Sequence, residues 1–456
     1  DDVVTAGVGV GAGGGASGDC RLVHPATTTT AAMVNTRRVD RSAAVITTPE
    51  MTTSGAVAER DRVSQDSGNR GETPAATAQG PAQAGPTPLL DARDPCKRRI
   101  QEVDEMASVA FKRNNGPRPV DPSELRAVLA AAQHAPSLHN SQPWRFVLDR
   151  TGIEVHGDDE RWLRHTDPAR RELTISCGAA ILNMRIAAAA IRRQLAVHLA
   201  PDAANPAHLA TLSFSGRHST ELADAALSPA IELRHTYRHS FAARPIPEPE
   251  LAALRQAALD ERVSAEWVRN GLRPRLIRLA TIAMFLLDSD PDYRRELRRW
   301  TTAQSGAPEG VPAPAFGTES LTGDPPLRDF TAAMPWIARP REVFPAESWL
   351  LLSTDGDDTA AWLRAGQATE RVLLQATARG LVGGFITQIF EAPGVRREIA
   401  GHTPTAGLPQ VVLRVGYPRP DDDRTASQAG RRPLDDMVRA SRGVAELLLR
   451  RDADDD

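Results

Sequence analysis

The spacing of apolar residues along the chain changes between helical and strand periods, which predicts a mixed α+β fold. The first convincing helix begins at Asp121, which can cap it, with Pro122 in the first turn and Glu124 at the capping-box position. The apolar residues that follow repeat at helical spacing and predict one buried stripe. This stripe comprises Leu125, Val128, Leu129 and Ala132.

The alternation after this helix predicts a strand at 144–149, a turn at 150–152 and a second strand at 153–156. A long helix is predicted over about 169–194. Its apolar face is predicted to contain Leu173, Cys177, Ala180, Ile181, Met184 and Ala188.

The rest of the chain continues this mixed character without a regular strand–helix alternation, which favours α+β over a Rossmann-type arrangement. Strands are predicted near 195–200, 208–214, 348–354, 381–388 and 410–416, and helices near 221–233, 248–259, 272–287 and 358–379.

Two segments lack any sustained period. Residues 1–112 consist mostly of Ala, Thr, Gly, Ser and Pro and are predicted to be a disordered low-complexity extension. The GxGxxG match at 9–14 has no predicted strand before it and no helix after it, so we attribute it to chance. A Pro/Gly-rich run at about 300–345 is too long for an ordinary connection, and it is either a lid-like insertion or a floppy surface loop.

Composition narrows the class of protein. A chain of 456 residues with 41% hydrophobic residues can bury a substantial core. The net charge of -3 argues against a nucleic-acid or anionic-membrane binder. The sequence shows neither a signal peptide nor an apolar run of about twenty residues, so a cytoplasmic protein without a membrane partner is expected.

The three cysteines are far apart in the sequence and form no CxxC pair. Cys20, Cys96 and Cys177 therefore give no indication of a disulfide framework, a zinc ribbon or a dithiol redox centre. Cys177 lies on the apolar face of a predicted helix and is expected to be a core residue.

Residues 135–144 form a polar segment bracketed by Pro136 and Pro143. The prolines restrict the backbone, and the amide and hydroxyl groups of Ser137, Asn140 and Gln142 can hydrogen-bond the edge of a flat heteroaromatic ligand without adding charge. The same groups can instead satisfy their own backbone, as Ser and Asn often do in loops. The residues alone leave both interpretations open.

Residues 234–241 concentrate guanidinium and hydroxyl groups. Arg234 and Arg238 could form bidentate, charge-assisted bonds to a phosphate, each contributing ~1.5–3 kcal/mol, and Thr236 adds a neutral donor. The alternative is a solvated basic patch at a helix end. His235 and His239 have a spacing that suits a metal, but the flanking arginines would repel one, so no metal is predicted.

These two segments resemble the nitroreductase superfamily. Pro-Ser-x-x-Asn-x-Gln-Pro-Trp at 136–144 is similar to the signature that contacts the isoalloxazine ring of FMN in that family, and 234–238 is similar to its phosphate-binding Arg-x-Ser/Thr-x-Arg element. The resemblance implies that Gln142 and Trp144 fix the loop to the core. It assigns the ring contacts to Pro136, Ser137, Leu138 and Asn140, and the phosphate contacts to Arg234, Thr236 and Arg238.

Two later segments extend the resemblance. Residues 378–385 are similar to the family's glycine-containing segment near the reactive flavin nitrogen, which implies that Gly383 allows the backbone to approach that edge. The residues alone fit equally a helix C-cap at Gly380 before a buried strand. Residues 413–418 resemble the family's closing strand. The segment 431–434 resembles its C-terminal basic element, so Arg431 or Arg432 is expected to complete the phosphate site.

The ring motif lies in the first half of the chain and the phosphate motif in the second, whereas one subunit of an ordinary nitroreductase carries both. This distribution, with the segments 176–180, 295–300 and 387–388, resembles the Acg-type family over about 120–440. It implies one FMN site per chain in a nitroreductase-like fold of two tandem halves. The halves are predicted at 113–216 and 217–456 and would pair as an intrachain pseudo-dimer.

The function implied by this resemblance is NAD(P)H-dependent reduction of a small nitroaromatic or quinone-like electron acceptor. Because a flavin supplies its own redox chemistry, no catalytic side chain is predicted. No motif for a nicotinamide site is readable. The alternatives are a non-catalytic FMN storage or sequestration protein with a lid over the flavin, and a flavin-free interaction protein. A monomer or a loose homodimer is expected.

Overall fold

The computed structural model describes the folded part of the chain. It covers residues 121–148, 152–217, 222–269, 271–304, 306–392, 394–401, 407–420 and 429–440. The predicted extension at 1–112 and the glycine motif at 9–14 lie outside the described residues, and so do Cys20 and Cys96.

The first half is built on a five-stranded sheet. Its strands are β1 (Trp144–Leu148), β2 (Gly152–Gly157), β3 (Arg193–Leu199), β4 (His208–Arg217) and β13 (Val438–Ala440). They lie in the order β13-β1-β2-β4-β3, and every pair is antiparallel except β13 with β1. The C-terminal part of the chain therefore returns to the first sheet, which the sequence pattern did not predict.

Helix α1 (Pro122–Gln133) packs on this sheet. Its capping box is formed as predicted, because the Asp121 side chain accepts from the Ser123 amide and the Glu124 carboxylate accepts from the Asp121 amide. The four residues of its predicted stripe are all buried.

The second half contains a four-stranded antiparallel sheet in the order β11-β12-β10-β5. Its strands are β5 (Ser264–Trp267), β10 (Ser348–Thr354), β11 (Val382–Phe385) and β12 (Leu408–Gly416). The larger helices of this half are α5 (Glu248–Asp260), α6 (Arg273–Ser289), α7 (Pro291–Arg299) and α8 (Thr359–Ala378).

The remaining elements are short. They are the helices α3 (Leu222–Ala225), α4 (Ser228–Leu233), α9 (Gln388–Glu391) and α10 (Val395–Ala400), and the two-residue strands β6 (Thr301–Thr302), β7 (Val311–Pro312), β8 (Glu319–Ser320) and β9 (Arg341–Glu342). The four short strands lie in residues 300–345, which we call the insert.

Three predicted elements differ from the observed ones. The helix expected over about 169–194 ends at Ala190, and Arg193 and Gln194 belong to β3. The single helix expected over 221–233 is interrupted between α3 and α4, where Pro229 takes the first turn of α4 and cannot donate a backbone hydrogen bond. The strand expected over 381–388 ends at Phe385, and the chain turns into α9 at Gln388.

The centre of the molecule is the crossing of two twenty-residue helices, α2 (Arg171–Ala190) from the first half and α8 from the second. Gly178 and Gly366 lie at this crossing, and each is the eighth residue of its helix, counting from Arg171 and Thr359. A β-carbon added to Gly178 would lie 2.2 Å from the Leu363 carbonyl oxygen, and one added to Gly366 would lie 2.0 Å from the Ile175 carbonyl oxygen. Leu363 and Ile175 are in turn the fifth residues of their helices, so the contact is reciprocal.

Helix α2 is buried on nearly all sides, because α8 covers the face that is turned away from the first sheet. Among the described residues it is the one helix that is long and apolar enough to cross a membrane, and 89% of its apolar window is buried inside the protein. This is the burial expected of a central core helix.

Candidate functional site

Two adjoining cavities lie between the halves. They share Pro136, Ser137, Thr236 and Arg238 as walls, so the loop from the first half and the basic segment from the second half meet there. We call them the apolar cavity and the basic cavity.

The apolar cavity is a slot lined mainly by uncharged side chains. Its floor is the α2 segment that contains Ile175, Ser176 and Ala179. The other walls include Leu138, His139, Tyr237, Phe316, Leu327, Phe330, Phe385, Thr387, Gln388 and Val411, together with the charged Glu172 and Arg328.

The loop that carries the predicted ring contacts has an unusual backbone. His139, Asn140 and Gln142 have φ values of +51°, +55° and +49°, in the left-handed region that residues other than glycine seldom occupy. Such a conformation persists only where neighbouring contacts enforce it, and it is common at ligand sites.

Gln142 and Trp144 supply those contacts, as expected. The side-chain nitrogen of Gln142 donates to the Pro308 carbonyl at 2.7 Å, and the side-chain oxygen of Gln142 accepts from the Arg432 backbone amide at 2.9 Å. Trp144 is fully buried, and its indole N–H donates to Met437 Sδ. The loop is therefore held from the core, the insert and the C-terminal segment together.

His139 is a cavity residue that the sequence motif did not single out. It is buried, and its two ring nitrogens have no hydrogen-bond partner among the described residues. Burial, with Arg328 and Arg238 nearby, holds its pKa well below the usual value, so the imidazole is neutral near pH 7. A neutral imidazole with unused donor and acceptor positions can hydrogen-bond a bound ligand.

The basic cavity contains three guanidinium groups, from Arg234, Arg238 and Arg431. Arg234 donates to the His134 carbonyl at 2.9 Å, yet its Nη1 has no partner within the described part of the chain. Arg238 donates to the Ala315 carbonyl, and Arg431 donates to the His134 and Gly430 carbonyls.

The three guanidinium groups of this cavity are only partly compensated by Glu232, which also lines it, and by Glu370 beside Arg234. Burial, with Arg328 and Arg234 close by, lowers the pKa of Arg238 to about 10. Burial and the repulsion from Arg234 likewise lower the pKa of Arg431 to about 10. An anion bound here would relieve the repulsion and satisfy the remaining donors.

The buried carboxylate of Glu370 lies beside Arg234, one of the three arginines of the basic cavity. Glu370 on α8 lies 3.4 Å from Arg234 Nε, and burial raises the pKa of this carboxyl to about 7, against the opposing effect of Arg234. Because Glu370 is fully buried, its charge depends on the neighbouring guanidinium.

Gly383 contacts the segment that carries Arg234 and Arg238 through its backbone. Its carbonyl accepts from the Tyr237 amide at 2.8 Å, and it forms an isolated bridge with Thr236. A β-carbon on the adjacent Gly384 would lie 2.3 Å from the Tyr237 carbonyl oxygen, so small residues let the two backbones approach. Gly383 itself is not among the residues that line the two cavities.

Asn140 and Arg432 were also predicted to contact the cofactor, but only Asn140 lines the basic cavity. Asn140 lines it rather than the apolar cavity, donates to the Gly310 and Gly430 carbonyls and accepts from Arg431. Arg432 points away, donating to the Gln142 and Asp436 carbonyls, and lies 3.2 Å from Glu309. Of the two C-terminal arginines, only Arg431 faces the cavity.

The insert forms part of the walls of both cavities. Phe316 and Phe330 stack with ring centroids 5.5 Å apart at the apolar cavity, and Val311 reaches the basic one. The buried Arg328–Glu391 ion pair, at 2.5 Å, ties the insert to α9. The sequence signal for the insert was the length and the Pro/Gly content of the run, and neither indicated which of its residues reach the cavities.

Several other predicted residues are structural. Cys177 is buried, burial raises its pKa, and its thiol lies 3.5 Å from the Pro143 carbonyl, as expected of a core cysteine. His239 contacts the Thr318 hydroxyl, whereas His235 contacts the Leu233 carbonyl and also lines the basic cavity.

An apolar cavity that adjoins a guanidinium cluster suits a flat heteroaromatic ring joined to a phosphate. The apolar cavity offers neutral hydrogen-bonding groups at its edge. The basic cavity offers the unused Nη1 of Arg234, beside the guanidinium groups of Arg238 and Arg431, whose pKa values are lowered. The donor set therefore fits the FMN that the sequence resemblance implies.

Comparison with known proteins decides the family. A model described as the nitroreductase family matches residues 112–154. A relative from Mycobacterium tuberculosis named "Putative NAD(P)H nitroreductase Rv3131" is 36% identical over 311 residues, which are 65% of this chain and 86% of the relative. Another, "Putative NAD(P)H nitroreductase acg", is 30% identical over 316 residues, which are 69% of this chain and 94% of the relative.

The chain belongs to the nitroreductase family. Its relatives place it with the Acg-type members, so the α+β, two-half, nitroreductase-like fold predicted from the sequence is confirmed.

Solved structures of this family are more distant from the chain. A nitroreductase with bound FMN from Desulfitobacterium hafniense has a TM-score of 0.28 and 13% identity, covering 46% of this chain and 95% of that one. A nitroreductase with bound FMN from Bacteroides fragilis has a TM-score of 0.27 and 16% identity, covering 43% and 90%. The family assignment rests on the sequence relatives alone.

Proposed function

We propose that this nitroreductase-family chain binds one FMN across the two cavities. The isoalloxazine ring occupies the apolar cavity against Pro136, Ser137 and Leu138, and the phosphate occupies the basic cavity. The observation that carries the proposal is that the two cavities meet at Thr236 and Arg238, so one ligand can fill both. The relatives named as NAD(P)H nitroreductases and the FMN-bound family structures support the same cofactor.

The phosphate is held by groups from both ends of the second half. Arg234, Arg238 and Arg431 supply charge-assisted hydrogen bonds, each worth ~1.5–3 kcal/mol, and Thr236 supplies a hydroxyl. Asn140 connects the first half to this group by accepting from Arg431. Each half therefore supplies part of one site, as the pseudo-dimer predicts.

We further propose NAD(P)H-dependent reduction of a small nitroaromatic or quinone-like acceptor. Bound FMN supplies the hydride and electron transfer of such a reaction. The chain's own residues orient the ring and exclude water: Phe316 and Phe330 of the insert close one side, and the neutral His139 offers hydrogen bonds without adding charge. The pseudo-dimer would act as a monomer or a loose homodimer.

A second candidate function is FMN storage. The insert contributes walls to both cavities and is held by the buried Arg328–Glu391 pair, which favours a covered ring that exchanges slowly with solvent. Covering the ring would restrict access of a nicotinamide and an acceptor.

The deciding experiment is anaerobic addition of NADPH, and separately NADH, to the FMN-loaded protein. Rapid bleaching of the oxidised-flavin absorption band, with re-oxidation by a nitroaromatic or a quinone, supports the reductase. A flavin that stays oxidised under both donors, but is reduced by dithionite, supports storage. Fully folded protein that takes up no FMN on reconstitution would overturn both.

A further inference from the structure

Three side chains that can ligate a metal lie together on the outer face of the five-stranded sheet, away from the helix α2. They are Glu154 and His156 on β2 and His208 on β4. One ligand atom from each lies within 4.8 Å of the others. None of the three lines the apolar or the basic cavity.

The sheet register produces this grouping. Residues two apart on a strand share a face, which places Glu154 beside His156. A register shift between Val155 and His156 leaves His208 directly opposite His156, while Thr211 lies opposite Glu154. Sequence spacing could not reveal the set, because its members are 54 residues apart from Glu154 to His208 and only the bulge aligns them.

The three side chains lie close together, and one imidazole must turn before the in-plane lone pairs of both rings point at a single ion. The rings of His156 and His208 are stacked, with centroids 4.7 Å apart and planes at 11°. His156 Nε2 lies 2.9 Å from Glu154 Oε2. Two ligands at about 2.0–2.1 Å from a tetrahedral Zn²⁺ are separated by about 3.3 Å, so this pair needs only a small movement to share an ion.

Thr211 fixes the remaining ring. Its hydroxyl oxygen lies 3.0 Å from His208 Nε2 and can accept that proton, which leaves the His208 Nδ1 lone pair for a metal. Metal-ligating histidines commonly donate their second ring N–H to such an outer partner.

We propose that Glu154, His156 and His208 form a site for a divalent transition-metal ion of the Zn²⁺ type, with solvent in the fourth position. Two imidazoles and one carboxylate form a His₂Glu ligand set of the kind that binds zinc with an open position. The side chains of Glu154 and His156 are 41% and 19% exposed, so an ion can reach the site from solvent.

The test is a titration of tag-free protein, stripped with a chelator, with ZnCl₂ by isothermal calorimetry. We expect one Zn²⁺ per chain, and affinity that falls at least about tenfold in His208→Ala and in His156→Ala. The matched control is His198→Ala, because His198 is an exposed histidine of the same sheet that pairs with Thr211 and lies outside the cluster. This control should bind Zn²⁺ as the wild type does.

A second readout uses Co²⁺, whose visible spectrum reports nitrogen and oxygen coordination, with the same variants. Thr211→Val should weaken binding without abolishing it, because it removes only the outer partner of His208. The proposal is overturned if the wild type takes up no stoichiometric Zn²⁺, or if His198→Ala loses as much affinity as His208→Ala. FMN content, measured in parallel, should stay unchanged in all variants, so this test is independent of the flavin proposal.

Discussion

Gly178 and Gly366 bring the backbones of the two central helices into contact at the point where the halves join. Each glycine faces a carbonyl oxygen of the other helix, about two turns from its own N-terminus, and the two contacts are equivalent by position. Such a reciprocal contact is what a two-fold axis produces at an interface between identical subunits. Here it lies inside one chain, at the crossing of the helices α2 and α8.

Gly178→Ala and Gly366→Ala should each destabilise the protein. The added methyl group would meet a backbone carbonyl that cannot move without shifting a helix, which costs on the order of 1–3 kcal/mol. Chemical denaturation measures the change. Gly271→Ala is the matched control, since a β-carbon there has no atom within 4 Å. Equal stability of all three variants would refute a tight central crossing.

Arg431→Ala and Arg432→Ala should have different effects although the residues are adjacent. Arg431 lines the basic cavity, so its loss should weaken FMN binding by about tenfold or more, the equivalent of one charge-assisted bond. Arg432 bonds to the Gln142 and Asp436 carbonyls, so its loss should mainly lower the melting temperature. Equilibrium FMN titration with thermal melting separates the two. The reverse pattern would exchange their assigned roles.

Asn140→Ala should speed the release of FMN. The Asn140 amide connects the ring loop to the insert at Gly310 and to the C-terminal segment at Gly430. Its loss should loosen the insert, and stopped-flow release of FMN into excess apoflavodoxin-type acceptor would report a faster rate. Trp336→Ala is the control, since this insert residue is 75% exposed. An unchanged release rate in Asn140→Ala would show that the insert does not retain the cofactor.

Glu370→Gln should change how stability depends on pH. The pKa of Glu370 is about 7 in the folded protein, above the unfolded value near 4.5, so the folded state binds more protons between these values. Ionisation of Glu370 therefore lowers the free energy of unfolding of the wild type as the pH rises from about 4.5 to 7, by up to ~1.4 kcal/mol per pH unit. The variant should lack this contribution. Parallel stability curves for the two proteins over that range would contradict the assigned pKa.

The sequence predicted the elements whose signals are local. The capping box at Asp121, the stripe of α1 and the strands around the ring loop follow from short-range patterns, and the structure has them. The resemblance also selected Thr236 and Arg238, which lie where the two cavities meet. These features depend on neighbouring residues or on one short motif.

Other features depend on contacts between distant parts of the chain and could not be predicted. The three-residue strand β13 exists because it pairs with β1, almost three hundred residues earlier. His139 is a cavity residue because the insert encloses it, and Arg431 rather than Arg432 faces the cavity because Gln142 binds the latter. No periodicity in the sequence carries such information.

The central claim is that the guanidinium cluster exists to hold an anion, the phosphate of FMN, and Arg238→Met tests it most directly. The variant keeps an apolar stem at the join of the two cavities and removes a guanidinium whose pKa is lowered by burial and by neighbouring arginines. With the exposed Arg244→Met as control, we measure the FMN-to-protein ratio and the dissociation constant after reconstitution, together with the melting temperature of the FMN-free proteins. The account predicts an FMN-free Arg238→Met protein that melts no lower than wild type but binds FMN at least about tenfold more weakly. Stoichiometric FMN bound with wild-type affinity by Arg238→Met would contradict it.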